Sequence, residues 1–371
     1  MKEVDKLLFS ILRVCMNNNN ETSLRADLDL IEGCRSNLEL WKQLNEILWI
    51  SKIEAYMSFA LRSNKMLSIL PDNFAQVLFQ AYASTCIKNR RFVNRTSEII
   101  LELNKNNITP ALWKGLILAF NYYPDFGARS MSDVDFYIPI KDKERSLKVL
   151  KEMGFSEANF LSQSEDCFNG VDSSGNLIDV HFCCEFFENQ KYSEIYSEYS
   201  EMYYEVSDSS SIKGRFLNLE PNAFLALLVE HQRGHMQKEG LFLNFIVDLM
   251  FFYKVHRKEL NHNKLSKLLN SPQHWKLLNR ADALILELCP EFELPFNNSK
   301  QLANSAFSIA EFRRSRVFGY LGLTSRYRAW VRLFLCWFGL VKKKILLTPD
   351  VNDVFCRIRD IVKENVRCSL T

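Results

Sequence analysis

The 371-residue sequence has no C-x-x-C pair, few glycines and prolines (12 and 9), no strong surplus of either charge and no long uninterrupted apolar run. Each shortage excludes something. Without paired cysteine spacing, the ten cysteines scattered from Cys15 to Cys368 suggest neither a zinc ribbon nor a disulfide framework. Cys183 and Cys184 are adjacent and badly placed to bridge each other, so reduced cysteines in a cytoplasmic protein are expected. The scarcity of Gly and Pro, with 47% hydrophobic residues, argues against low-complexity disorder. Lys plus Arg exceeds Asp plus Glu by only three, 47 against 44, so no global field demands a polyanionic partner. No segment reaches the roughly 18 uncharged apolar residues of a membrane span. The nearest, 329–341, is broken by Arg332, and the N-terminal run Leu7 to Cys15, bracketed by Asp5 and Arg13, reads as an amphipathic helix rather than a leader.

What is present is apolar bulk, including 28 Phe, distributed with helical spacing at both ends of the chain. Leu40, Trp41, Leu44, Ile47 and Leu48, and later Phe74, Val77, Leu78 and Ala81, recur at three and four. Asn104 to Asn107 should end this helical region. Helical periodicity returns beyond about residue 220, in Phe224 to Val229, Leu241 to Tyr253 and Ala281 to Leu288. A length of 371 exceeds the roughly 250–300 residues at which single cores stop growing, so more than one unit is expected.

Between those regions the texture changes. Val134 to Ile140 is β-branched and aromatic and predicts a strand. Lys143 to Met153, closed by Gly154, predicts an amphipathic helix. Cys167 to Val171 and Leu177 to Cys183 flank the turn residues Asp172-Ser173-Ser174-Gly175 and predict a hairpin. Leu116 to Tyr123 suits a helix, which makes Lys114-Gly115 a strand-to-helix junction where backbone N–H groups and a lysine can meet phosphates.

Asp133-Val134-Asp135 carries the chemistry. On a strand, residues two apart face the same side, so two carboxylates stand together. Their mutual repulsion is relieved by a cation, and hard divalent ions with oxygen ligands are the natural occupants. Taken alone, D-x-D is also what a solvated strand edge looks like. Downstream, however, Asp179 places a third carboxylate inside the apolar strand Ile178-Asp179-Val180-His181-Phe182, where an unmatched charge is costly.

The K-G turn (Leu112-Trp113-Lys114-Gly115), the arginine in Gly127-Ala128-Arg129, the D-x-D and the later Asp179-Val180-His181 occur in an order that resembles a bacterial uncharacterised nucleotidyltransferase family of the DNA polymerase beta-like superfamily. The resemblance covers roughly residues 75–255, from Asn89-Arg90-Arg91 to His231, His235 and Asp248. It implies an α+β fold: a small mixed-sheet core at 104–205, an N-terminal helical region at 1–103 and a C-terminal helical region with a basic aromatic tail at 206–371. It also implies an enzyme that moves a nucleoside monophosphate from an NTP such as ATP to a hydroxyl on a sugar, small molecule or protein. Asp133, Asp135 and Asp179 would be the catalytic residues and ligands of Mg²⁺ or Mn²⁺, with Lys114, Gly115 and Arg129 binding the nucleotide. One departure stands out. The superfamily's Gly-Ser is Gly115-Leu116 here, which favours the alternative of a catalytically degenerate nucleotide-binding or antitoxin-like interaction protein.

Weaker signals remain. His181 shares the strand face of Asp179 and either reaches the site or orients that aspartate. His231 and His235 lie one helical turn apart, compatible with zinc but lacking a third ligand, so a structural or acceptor-site role is the simpler reading. Asp248, in an apolar helix, is expected to pair with Arg233, His231 or His235. The tail carries Arg313, Arg314, Arg316, Arg326, Arg328, Arg332 and Lys342 to Lys344, with Trp330, Leu333, Phe334 and Trp337 at helical spacing. It reads as a solvated face or as a peripheral membrane contact at the inner leaflet. Nucleic acid is not expected as a partner, since no recognition motif accompanies these residues.

Overall fold

The computed structural model describes residues 3–16, 21–157, 167–182, 203–207, 211–238, 243–269 and 271–296. The chain divides into units 1–317 and 318–371, and every described residue belongs to the first. The basic aromatic tail and the Cys183-Cys184 pair lie outside the described residues. No described helix is long and apolar enough to cross a membrane.

The N-terminal region is helical: α1 (Glu3–Met16), α2 (Glu21–Gly33), α3 (Leu38–Ser51), α4 (Glu54–Ser63) and α5 (Asp72–Lys105). In α1 the run from Leu7 to Val14 is largely buried, and Arg13 reaches across to Asp27 of α2 with Nη2 at 2.6 Å and Nε at 2.9 Å from its two carboxylate oxygens. Asn37 caps α3 by accepting from the Leu40 amide, and Lys52 closes it in the left-handed conformation. The long α5 buries Phe74, Leu78, Thr85, Asn89, Phe92, Thr96, Ile99 and Leu103, a stripe at three, four and seven that gives one continuous packing face. Asn104 fastens its end. Its side-chain amide donates to the Ile108 and Arg215 carbonyls, and its Oδ1 accepts from the Arg215 amide at 2.7 Å.

A seven-stranded mixed sheet follows, built from β1 (Ala111–Trp113), β2 (Val134–Tyr137), β3 (Ser156–Glu157), β4 (Cys167–Val171), β5 (Leu177–His181), β6 (Tyr203–Ser207) and β7 (Arg215–Leu219). The spatial order is β3-β4-β5-β2-β1-β7-β6. β2 runs parallel to β5 and antiparallel to β1, whereas β1 and β7 are parallel. β1 turns at Lys114 into the single helical turn α6 (Gly115–Ile117), continued by a π-helical turn over Leu118–Tyr122, where the sequence suggests one regular helix. Helix α7 (Lys143–Glu152) ends before Gly154, whose φ of +86° is the left-handed stop expected there.

The chain then returns to helices: α8 (Pro221–Lys238), α9 (Leu243–His256), α10 (His262–Leu268) and α11 (Pro272–Leu288). Ala223 through Val229 are all buried, and α9 is buried from Phe245 through Met250. Both helices therefore sit inside the protein rather than along its rim. Glu230 is clasped by Arg233 and His274, and Tyr253 donates to Asp282 of α11 at 3.1 Å.

The Asp282 carboxyl is 3% exposed, and burial raises its pKa from 3.8 to about 7 against the opposing hydrogen bond from Tyr253. Folding thus favours its protonated form. The associated stability is complete below pH 3.8 and is lost as pH climbs through about 7. At roughly 1.4 kcal/mol for each tenfold change in acidity, ionised Asp282 costs on the order of 4 kcal/mol. Asp282→Asn should therefore raise the Tm at pH 8 and have little effect at pH 4. Equal shifts at the two pH values in thermal denaturation would contradict this.

Candidate functional site

Strand register gathers the chemistry onto one sheet face. Asp135 of β2 is paired with Asp179 of β5 on one side and with Trp113 of β1 on the other. Because side chains alternate along a strand, Trp113, Asp135, Tyr137, Asp179 and His181 project from the same face. β4 adds Asn169 opposite Asp179 and Cys167 opposite His181. The alternate residues Leu112, Val134, Phe136, Ile178 and Val180 are buried on the reverse face. Asp133 immediately precedes β2. Desolvation raises its pKa, and the charges of Asp135 and Asp179 push it further, with the Ser132 hydroxyl and Lys114 opposing. The three carboxylates sense one another across the same end of the sheet.

Lys114 sits at the β1–α6 junction with φ 48° and ψ −114°, a backbone region that favours glycine. Its Nζ lies 2.6 Å from Asp135 Oδ1, and both side chains are under 10% exposed. Burial would push the Asp135 acid up, but Lys114 and His181 more than offset this and hold it well below the usual carboxylate range. A strained lysine directed at a buried carboxylate is the kind of local departure that functional sites retain.

His181 bridges two sets of groups. Its Nε2 is 3.1 Å from Asp179 Oδ2 and 3.9 Å from Asp135 Oδ1, and its Nδ1 is 3.4 Å from Cys167 Sγ. Burial alone would lower its pKa, yet Asp135, Asp179 and Cys167 together raise it to about 11, so the ring is an imidazolium at neutral pH. Trp113 stacks on it at 5.4 Å between centroids and on Tyr137 at 5.1 Å. Trp113 and Cys167 have no assigned role in the sequence reading. Counting pairs back along the hairpin from Val171 and Leu177 would have brought Cys167 opposite His181.

Arg129 and Asp248, 119 positions apart, form a buried pair. Arg129 Nε and Nη2 donate to the two Asp248 oxygens at 2.7 and 2.8 Å, and the Tyr123 hydroxyl donates to Oδ1 at 2.7 Å. Burial would lower the Arg129 pKa, but Asp248 outweighs it and keeps the guanidinium charged. This corrects the expectation that Asp248 pairs with Arg233, His231 or His235. α9 packs against the π-helical turn Leu118–Tyr122 that follows the K-G turn, and its carboxylate meets Arg129 instead. The guanidinium expected at the phosphates is engaged from behind that turn, with Nη1 3.4 Å from the Gly115 carbonyl. A Cβ at Gly115 would stand 3.1 Å from Nη1, so a side chain there would press on the guanidinium.

Asn89 of α5 holds the preceding loop by donating to the Phe126 and Arg129 carbonyls. Gly127 is pressed so closely against α5 that a Cβ there would lie 2.0 Å from Cys86 Sγ. His231 is half-buried on α8, away from the sheet strands in sequence, and the His235 side chain lies outside the described residues.

The acids present suit a divalent cation. Among the described residues no donor meets the buried Asp179 Oδ1, which leaves this carboxylate oxygen open to a cation. The oxygen-rich set of Asp133, Asp135 and Asp179 matches the preference of Mg²⁺ or Mn²⁺.

No curated protein sequence matches the chain. One solved structure, the crystal structure of an antigenic nucleotidyltransferase-like protein from Paracoccidioides brasiliensis, is similar over 58% of this chain and 91% of its own, at 14% identity and a TM-score of 0.36. A family model described as uncharacterised nucleotidyltransferase matches residues 38–290. Because that match runs from α3 to α11 and takes in the whole sheet, the protein belongs to the uncharacterised nucleotidyltransferase family.

Proposed function

We propose that this chain transfers a nucleoside monophosphate from an NTP to a hydroxyl acceptor, by chemistry like that of the DNA polymerase beta-like superfamily. The observation that carries the reading is the pairing of Asp135 with Asp179 across β2 and β5, with the buried, unmatched Asp179 Oδ1 beside them. Asp133, Asp135 and Asp179 would hold Mg²⁺ or Mn²⁺, which when bound supplies charge neutralisation at the α-phosphate and acidifies the acceptor hydroxyl.

The chain's own groups do the rest. Asp179 accepts the hydroxyl proton as the new O–P bond forms and the bond between the α- and β-phosphates breaks, releasing pyrophosphate. His181, charged and 3.1 Å from Asp179 Oδ2, fixes that carboxylate and leaves Oδ1 for the site. Lys114, whose Nζ lies 2.6 Å from Asp135 Oδ1, would bind the β- and γ-phosphates. Arg129, anchored by Asp248, keeps the Gly115 backbone in place behind the phosphates rather than touching them.

The non-catalytic alternative draws on Leu116, which supplies no hydroxyl to the phosphates. The two readings separate on the purified chain. With Mg²⁺ and labelled NTPs, pyrophosphate release and metal-dependent thermal stabilisation by at least one NTP are expected. Indifference to every NTP in both assays would leave the degenerate reading standing.

A further inference from the structure

Cys167, His181 and Asp179 each offer one ligand atom, and these three atoms all lie within 4.8 Å of one another. The set differs in kind from the three aspartates, because it contains a sulfur. Mg²⁺ avoids thiolate, whereas Zn²⁺ and related ions combine thiolate, imidazole and carboxylate readily. The spacing suits such an ion. With Zn–S about 2.3 Å and Zn–N about 2.0 Å, a tetrahedral angle sets the sulfur–nitrogen edge near 3.5 Å. Cys167 Sγ and His181 Nδ1 are 3.4 Å apart.

The far ring nitrogen lies 3.9 Å from Asp135 Oδ1, the sort of carboxylate support that orients metal-ligating imidazoles. Trp113 stacked on the ring restricts its rotation. Cys167 and Asp179 are only partly buried, which leaves a route for an ion. Three protein ligands leave a fourth position for water or another ligand, as in exchangeable rather than purely structural sites.

The geometry points to a Zn²⁺ site formed by Cys167, His181 and Asp179 that shares Asp179 with the transferase centre, so that Zn²⁺ binding inhibits transfer. Binding itself is independent of the function proposed above, and only the inhibitory consequence rests on that reading. Binding displaces one proton from the His181 ring and one from the Cys167 thiol to solvent, and the ion then held between them withdraws Asp179 from the hard-ion set. Zn²⁺ should therefore raise the Mg²⁺ concentration needed for transfer, and agents that oxidise or cap Cys167 should relieve the inhibition.

The test uses the full reduced chain with Co²⁺ as a spectroscopic substitute, then Zn²⁺ as competitor. One equivalent of Co²⁺ should produce a thiolate-to-metal charge-transfer band in the near ultraviolet, and Zn²⁺ should abolish it. Among the ten cysteines, Cys289→Ser should keep the band and Cys167→Ser should lose it. Affinity for Zn²⁺ in Cys167→Ser, measured against a chromophoric chelator, should fall by at least the ~10–100-fold that loss of an outer partner already costs. Cys167→Ala gives a second variant should serine disturb folding, checked by circular dichroism.

Absence of the band in folded wild-type protein, or its persistence in both Cys167 variants, overturns the site. If the band forms through Cys167 but no NTP is turned over, the metal site stands and the transferase reading falls. If transfer occurs, Cys167→Ser should tolerate at least tenfold more Zn²⁺ than wild type, each protein measured against its own zinc-free rate. Equal sensitivity to Zn²⁺ in the two proteins would remove the inhibitory role.

Discussion

Replacing Asp179 with asparagine is expected to cut nucleotidyl transfer by ~10³-fold or more, because several kcal/mol of charge stabilisation are lost and each 1.4 kcal/mol is about tenfold in rate. Stability should move differently. Among the described residues Asp179 Oδ1 is buried without a hydrogen-bond donor, and Asp179 adds to the repulsion felt by Asp133. Removing that charge relieves a cost that balances the weakened contact with His181, while Asp135 remains within 3.9 Å of the imidazolium. The metal-free Tm should therefore correspond to a change within about 1 kcal/mol. The extra stabilisation given by Mg²⁺ with NTP should vanish. Asp133→Ala should show the same loss of transfer. Pyrophosphate release within tenfold of wild type in Asp179→Asn would remove this residue from the proposed machinery, whereas a large fall in the metal-free Tm would mark it as structural.

That division between stability and function explains what the sequence made legible. The D-x-D strand and the hairpin carrying Asp179 could be read because each is a local pattern: alternation over Val134 to Tyr137, and turn residues between two short apolar runs. A charged residue on an otherwise apolar strand is conspicuous, so Asp179 stood out. The placement of β2 between β1 and β5 could not be read, since it depends on pairings that no short window contains. β6 and β7 were missed for a related reason. Tyr203–Ser207 and Arg215–Leu219 are brief, and their partners are each other and the distant β1. Cys167 lay within reach of simple register counting, but nothing about a single cysteine in a strand announces a partner. The Arg129 pairing was the least accessible, because both candidate roles for an arginine, phosphate contact and internal counterion, look alike in sequence.

The Arg129–Asp248 pair also yields the largest expected effect on stability. Its members are 11% and 6% exposed, and the carboxylate accepts two guanidinium hydrogen bonds and one from Tyr123. Asp248→Asn leaves a guanidinium buried without its counter-charge, a change that typically costs about 3–5 kcal/mol. The pair as a whole contributes far less, because taking two charges out of water offsets most of their attraction. Arg129→Met combined with Asp248→Leu should therefore recover most of the stability lost in Asp248→Asn, as measured by denaturant midpoint. Transfer should not recover. In the double variant the Gly115 carbonyl keeps only the backbone amide of Leu118 and loses the guanidinium that faces it at 3.4 Å, so the turn bearing the strained Lys114 loses its side-chain support. A positioning role predicts restored folding with a raised KM for NTP. Restored folding together with wild-type KM and kcat would show that the pair only packs the interior, and a cost below about 1 kcal/mol for Asp248→Asn would show that the charge is not buried in the way the geometry requires.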